Sequence, residues 1–190
     1  MGIVTMDRND IINYNVTEHL RDQRQITIRS VRPDDKGLVI KVLPRLSDES
    51  LYRRLFMIKR NFSDNDLKEI TEVDFVNVVA LFVEMKQDSE DLIVAGGRYI
   101  RSGVFGTRQR AEVAFIVGEP VQRYGIASRI FKHLAVIARA SGIAEFEAEV
   151  LPYNIAAFKV FDKSGYPVNK SVTRESVHLT IDLTGGEASP

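Results

Sequence analysis

One stretch of this sequence has the residue types and spacing to hold an anion. Ala111–Gly118 (AEVAFIVG) reads as an apolar strand, Gly118 and Pro120 mark a turn, and Gln122-Arg123-Tyr124-Gly125-Ile126-Ala127 opens a long amphipathic helix. The first N–H groups of a helix lack intrahelical acceptors, and its dipole favours negative charge at that end. Gly125 has no Cβ and Ala127 has a small one, so a bulky phosphate can approach the backbone. The competing reading is an ordinary strand–turn–helix corner in which Gly125 serves packing alone. Other residue types narrow the chemistry. The absence of Cys excludes disulfides, thiolate catalysis and Cys-based zinc or iron–sulfur sites. His19, His133 and His178 are scattered without metal-ligand spacing, so they are expected to be structural or surface residues and no metal is expected.

Charge and length bound the rest. Lys+Arg and Asp+Glu both number 26, so the zero net charge gives no argument for nucleic acid or for an anionic membrane surface. No apolar run approaches the roughly 20 residues of a membrane span, and charges stand near the N-terminus where a signal peptide would be apolar. A cytoplasmic protein, monomer or dimer, without nucleic-acid or membrane partners, is expected. At 190 residues, 44% of them hydrophobic, the chain can bury one sizeable core.

The elements that must position the loop follow from periodicity. Residues 1–24 are polar and weakly periodic, and are expected to be an extension that is partly disordered or packs peripherally. Gln25–Val31 alternates as a strand. Arg32-Pro33-Asp34-Asp35 opens a helix with Leu38, Val39, Val42, Leu43 and Leu46 on its apolar face. Ser47-Asp48-Glu49-Ser50 caps a second helix with Leu51, Leu55 and Phe56 inward and Arg53 and Arg54 outward. Ser63-Asp64-Asn65-Asp66 resembles a capping box. Asp74–Met85, Leu92–Ile100 and Ala111–Gly118 form a strand meander, with Gly96-Gly97 marking a bulge or a close backbone approach and Arg101–Arg110 a hairpin connection. The long helix buries Ile126, Ile130, Leu134, Ile137 and Ala138, and ends at Ser141-Gly142. Strand 146–151, a helix from Asn154 to Gly165 and strand 177–183 complete the chain, leaving 184–190 as a disordered tail. The order β-α-α-β-β-β-α-β-α-β is an α+β layout with a mixed sheet.

That order, with particular residues, resembles the GCN5-related N-acetyltransferase (GNAT) superfamily. Gln122-x-x-Gly125-x-Ala127 is similar to its acyl-CoA pyrophosphate loop, Q/R-x-x-G-x-G/A. Asn154-x-x-Ala157-x-x-Val160-Phe161-x-x-x-Gly165-Tyr166 is similar to its later motif, N-x-x-A-x-x-L-Y-x-x-x-G-F. Leu46–Phe56 (LSDESLYRRLF) is similar to a segment of bacterial protein lysine acetyltransferases of the Pat type. The resemblance covers residues 25–183 and implies one acyltransferase domain there. Its fold would be a mixed, mostly antiparallel central sheet with helices on both faces. Pat-type catalytic domains are often fused to a cyclic-nucleotide or acyl-CoA-synthetase-like domain. Neither fits in 24 residues, so such regulation is expected to be absent or supplied in trans.

The resemblance implies acetyl-CoA as acyl donor and an amine as acceptor, a protein lysine or a small metabolite. Phe115 and Val117 would pair with the pantetheine arm, and Arg123, Tyr124, Gly125, Ile126, Ala127 and Ser128 would surround the pyrophosphate, with Gln122 bracing the loop. Asn154 and Phe158 would lie beside the cofactor, Asn154 also capping its helix. Arg129 and Lys132 would either reach a ribose phosphate or form a solvated helix face. Glu112 aligns with the strand glutamate that Pat-type enzymes use as general base. Its neighbours Ala111, Val113, Ala114 and Phe115 are apolar, so a partly desolvated carboxylate, better matched to accepting a proton, is expected. Glu147 and Glu149 are rivals on the adjacent strand. Where the motif has tyrosine the chain has Phe161, which cannot donate a proton. The thiolate then leaves unprotonated, or water or Tyr153 serves as acid. A non-catalytic acyl-CoA-binding module is a further reading, favoured by Phe161 and opposed by Glu112. Arg98, Arg101, Arg108 and Arg110 make a basic hairpin, either a dock for an acidic protein surface or a solvated hairpin.

Overall fold

The computed structural model describes residues 5–46, 62–87 and 90–186. Eight strands form one sheet: β1 (Asn15–His19), β2 (Gln25–Ser30), β3 (Val78–Gln87), β4 (Glu90–Phe105), β5 (Arg108–Val117), β6 (Glu145–Val150), β7 (Val168–Val172) and β8 (Val177–Asp182). They lie in the order β1-β2-β3-β4-β5-β6-β8-β7. Every neighbouring pair is antiparallel except β5 and β6. The described helices are α1 (Arg8–Ile12), α2 (Lys36–Val42), α3 (Asp64–Thr71), α4 (Ile126–Ala140) and α5 (Ile155–Asp162). The mixed sheet with helices on both faces is the α+β architecture expected from the element order.

Strand alternation sorts the two faces. Leu81, Val83, Tyr99, Ala111, Val113, Phe146 and Leu179 point one way and are at most 2% exposed. The apolar stripe of α4, including Ile130, Leu134 and Ile137, covers them. The expected close approach at Gly96-Gly97 is real. A Cβ on Gly97 would overlap Ile130 Cγ2 and lie 3.2 Å from Leu134 Cδ1, while one on Gly96 would meet Phe82 Cδ1 at 3.1 Å. Only glycine lets α4 sit this near the sheet. The opposite face carries α2 and α3 over β3 and β4, and no described helix covers it over β5, β6 and β8.

Several boundaries differ from the sequence reading. Residues 7–20, read as part of an extension, form α1 and the edge strand β1. Asp7 caps α1 through a capping box with Asp10, and Ile11 and Leu20 join the core. Ser63 caps α3 with Asp66, as expected. The helix expected from Arg32 begins as a 3-10 turn, Pro33–Asp35, before α2. Asp35 there is no solvated acid. It is buried with Arg29 (2.7 Å), which also pairs with Glu84. The strand expected from Asp74 starts at Val78, and the strands of the hairpin run on to Phe105 and from Arg108, leaving a turn at Gly106-Thr107. Strand β7 (VNKSV) went unread because its half-buried Val168 precedes four exposed residues, so it has no apolar alternation. The helix expected after Ser47, with most of the Pat-like segment, lies outside the described residues.

Asp74 explains the late start of β3. Its Oδ1 accepts the N–H groups of Val76 (2.9 Å), Asn77 (2.8 Å) and Val78 (2.9 Å), closing a turn that leaves Phe75 at φ +54. Burial acts to raise the Asp74 carboxyl, but these donors and the Asn77 amide together hold it at about 2. An unfolded aspartate titrates near 3.9. The contribution is therefore complete above about pH 4 and disappears as pH falls through about 2. Asp182 behaves alike, held at about 2 by the Thr184 hydroxyl and Arg108 against burial. In urea unfolding at stepped pH, stability should fall between about pH 4 and pH 2. Asp74→Asn, which cannot titrate, should make that fall shallower. An unchanged slope would remove the turn from the acid response.

Candidate functional site

Strands β5 and β6 run together for only three residue pairs, Arg110↔Glu145, Ala111↔Phe146 and Glu112↔Glu147. Beyond Glu112 they part. From Val113 to Val117, β5 pairs only with β4 among the described residues, so the backbone groups on its outer edge face a gap. An extended, amide-bearing ligand can complete such an edge. The Phe115 side chain points away from the open face, its ring 5.6 Å from that of Phe161, which in turn lies 5.4 Å from Phe131. Val117 is partly committed already, since its carbonyl accepts the Gln122 side-chain amide at 3.1 Å. That bond ties the end of β5 to the start of the loop.

The gap leads to the glycine loop. A 3-10 turn, Glu119–Val121, buries Val121 and delivers the chain to Gln122. Arg123 (φ +70) and Gly125 (φ +81) are both left-handed, and α4 starts at Ile126 without a side-chain cap. Among the described residues, no group accepts the N–H of any residue from Arg123 to Ser128. Six consecutive donors at the positive end of a 15-residue helix are the groups that could cradle an anion. Ile126 contributes backbone alone, because its side chain is in the core. Tyr124 is exposed, with the Arg24 guanidinium 4.2 Å above its ring. Arg129 is partly exposed and already engaged. It pairs with Glu18 at 2.8 Å and donates to the His19 carbonyl at 3.1 Å.

At the point of parting, Glu112, Glu147 and Glu149 share the open face with Ser102 and His178, lining a cleft of about 100 Å³. Two of the carboxylates are engaged. Glu147 accepts from Arg110 (2.9 Å) and Ser102 (3.0 Å), and Glu149 from His178 and Ser176 (both 2.6 Å). Glu112 has no side-chain partner among the described residues. It is exposed, so the desolvation expected of it is absent. The apolar neighbours that suggested it, Ala111 and Val113, point to the other face. The cleft brings Glu112 together with its two rivals but not with Tyr153, which stands exposed in the turn before α5. Asn154 caps α5, its Oδ1 accepting the Ala157 N–H at 3.2 Å, and Phe158 is half-buried on that helix beneath the Lys170 ammonium. Phe161 is buried.

Sequence reasoning missed a larger cavity of about 310 Å³ on the same face, bounded by Val42 and Ile70 on one side and by Phe82, Arg98 and Ile116 on the other. Its residues come from six separate elements, counting the 3-10 helix Leu43–Arg45, so no local pattern announces it. The basic hairpin does not form a free patch. Arg101 bonds the Val76 and Ser141 carbonyls, Arg108 pairs with Asp182, Arg110 with Glu145 and Glu147, and Arg98 lines the cavity. No group of three or more His, Asp or Glu residues is placed to hold a metal among the described residues, and no described helix is long and apolar enough to cross a membrane.

Residues 50–166 match the acetyltransferase (GNAT) family. Acetyltransferase Pat of Mycolicibacterium smegmatis is 33% identical over 138 residues, which are 73% of this chain and 40% of that protein. The crystal structure of the GNAT domain of S. lividans PAT superposes with a TM-score of 0.78 at 33% identity, over 88% of this chain and 96% of that one. The cAMP-binding acyltransferase from Mycobacterium smegmatis superposes at 0.60 with 27% identity, over 93% of this chain and 49% of the other. The chain thus spans less than half the length of the full-length relative, and most of the length of the isolated domain.

Proposed function

The chain belongs to the acetyltransferase (GNAT) family, and from that premise we propose that it transfers acetyl from acetyl-CoA to the side-chain amine of a protein lysine. The observation that carries this reading is the parting of β5 from β6 between the N–H groups of the glycine loop and Glu112, a carboxylate with no side-chain partner among the described residues. The cradle from Arg123 to Ser128 holds the pyrophosphate. The pantetheine arm runs along the free edge of β5 past Val117 and Phe115, beside Asn154 and Phe158. The thioester then lies near Glu112, where the acceptor amine enters from the open face.

Glu112 takes a proton from the acceptor ammonium, directly or through one water. The freed nitrogen bonds to the thioester carbonyl carbon, whose oxygen becomes an oxyanion. As that carbonyl reforms, the carbon–sulfur bond breaks, CoA leaves as thiolate, and the nitrogen releases its second proton to water to leave a neutral amide. A thiol titrating near 8.5 tolerates departure without a proton, which suits a chain with Phe161 at the tyrosine position. Water or the exposed Tyr153 hydroxyl can protonate the thiolate afterwards. Holding donor and acceptor together supplies a large part of the acceleration. The lysine acceptor draws support from the 33% identity to Pat and to the PAT domain.

The test is to incubate the protein with acetyl-CoA and a panel of lysine-bearing proteins and small amines, reading thiol release and acetyl mass gain. Acetylated protein lysine is the expected product. Turnover confined to small amines would replace the acceptor assignment. Tight CoA binding without transfer to any acceptor would overturn the enzymatic reading in favour of a binding module.

A further inference from the structure

The N–H cradle is held in shape from outside the loop, by the N-terminal edge strand. A peptide unit points its C=O and its N–H in opposite directions. The Tyr124 carbonyl shares a peptide plane with the Gly125 N–H, and the Gly125 carbonyl with the Ile126 N–H. Both carbonyls face one cation: Arg129 Nη1 lies 3.5 Å from Tyr124 O and 3.4 Å from Gly125 O. With the carbonyls turned toward Arg129, the N–H groups of Gly125 and Ile126 are turned away from it, toward the ligand side. The Gly125 carbonyl also accepts the Arg129 backbone N–H at 3.2 Å, so the guanidinium matters most at the Tyr124–Gly125 peptide, between the left-handed residues Arg123 and Gly125, where no other described group holds the carbonyl.

Arg129 is itself fixed by β1. Its Nε donates to Glu18 Oε2 at 2.8 Å and its Nη2 to the His19 carbonyl at 3.1 Å. The other Glu18 oxygen, Oε1, lies 2.8 Å from His133 Nε2, and His133 Nδ1 lies 2.5 Å from the Tyr14 hydroxyl. Glu18 therefore occupies both oxygens on α4, one turn apart, and cannot swing without releasing Arg129. Only a planar fork donating from three nitrogens can span Glu18, His19 and the two loop carbonyls.

We propose that Glu18 is a positioning residue for acyl-CoA binding, acting through Arg129 on the peptide orientation of the pyrophosphate loop. The proposal rests on the reading of that loop as the pyrophosphate site. It makes residues 14–19 part of the binding machinery rather than an appendage.

The experiment measures CoA affinity by calorimetry and steady-state kinetics on the intact chain. Glu18→Ala should raise the CoA Kd and the acetyl-CoA KM about tenfold, the change that roughly 1.4 kcal/mol produces. Saturating kcat and the KM for acceptor should stay at wild-type values. Glu18→Gln keeps an acceptor for Arg129 and should recover most of the affinity. Arg129→Lys keeps the charge but not the fork, and should match Glu18→Ala. The double variant should be no weaker than either single one, because both break one linkage. A reduced kcat with unchanged acetyl-CoA KM would mean lost folded enzyme, and would overturn the proposal. So would wild-type or tighter CoA binding in Glu18→Ala. Gly125→Glu in parallel separates the two failures. If it abolishes CoA binding while Glu18→Ala does nothing, the positioning role alone falls. If it leaves CoA binding intact, the pyrophosphate assignment falls first.

Discussion

Glu112→Gln should lower kcat by about two to four orders of magnitude, the usual worth of a positioned general base, with CoA affinity unchanged. Glutamine has the size of glutamate but cannot take the ammonium proton. Glu112 is exposed and has no side-chain partner among the described residues, so the substitution breaks no internal network. Its stability should stay within about 0.5 kcal/mol of wild type, which separates lost chemistry from lost fold. The variant should also regain activity as pH rises. A lysine amine titrates near 10.4, so below that value each unit of rise in pH multiplies the unprotonated acceptor about tenfold. An enzyme without its base depends on that fraction and should follow it. Glu147→Gln and Glu149→Gln serve as comparisons. Their carboxylates already answer Arg110, Ser102, His178 and Ser176, so those changes should cost more stability and less kcat. A large kcat loss in Glu147→Gln with a fully active Glu112→Gln would move the base one strand over.

Glu112 also shows how far sequence carries. Its place on a strand next to the glycine loop was legible, because a period of two and a following turn are local signals. Its environment was misread. Flanking residues in a strand face the other side of the sheet, so the burial of Ala111 and Val113 implies an outward Glu112 rather than a desolvated one. The alternation alone could have corrected this. The parting of β5 and β6 could not be read, since it depends on pairing between residues as distant in sequence as Arg110 and Glu145 and on packing such as Phe115 against Phe161, neither of which leaves a local pattern. The N-terminal residues were misjudged for a different reason. The edge strand β1 has no buried residue and so no strong apolar alternation, and residues 7–20 reach the core through Ile11 on α1 and Leu20 just after β1. Glu18 there gave no signal, because its partners Arg129 and His133 are more than a hundred residues away. Arg108 and Arg110 looked unbalanced because their carboxylate partners lie on β6 and at the end of β8, and Arg101 because its partners are backbone carbonyls.

Gly125→Glu should abolish measurable CoA binding, a loss of more than about a hundredfold, while the protein remains folded. Two effects act together. Gly125 sits at φ +81, where a residue with a Cβ is strained by roughly 1–2 kcal/mol, and its Cβ would stand 3.0 Å from Arg129 Nη1, the group that faces the loop carbonyls. The new carboxylate would also lie beside six N–H groups that have no other acceptor among the described residues. It can satisfy them itself, placing negative charge where the pyrophosphate must bind. Gly125→Ala isolates the first effect. It carries the same backbone strain and no charge, so it should lower the melting temperature much as Gly125→Glu does and weaken CoA far less. Calorimetry of CoA against both variants, with thermal unfolding of each, gives the electrostatic share as the difference between them. Equal weakening in the two would assign the loop's selectivity to backbone shape. Wild-type affinity in Gly125→Glu would put the pyrophosphate elsewhere on the molecule, and the free edge of β5 would then lose its reason to hold the pantetheine arm, because the cradle is what fixes the direction from which that arm arrives.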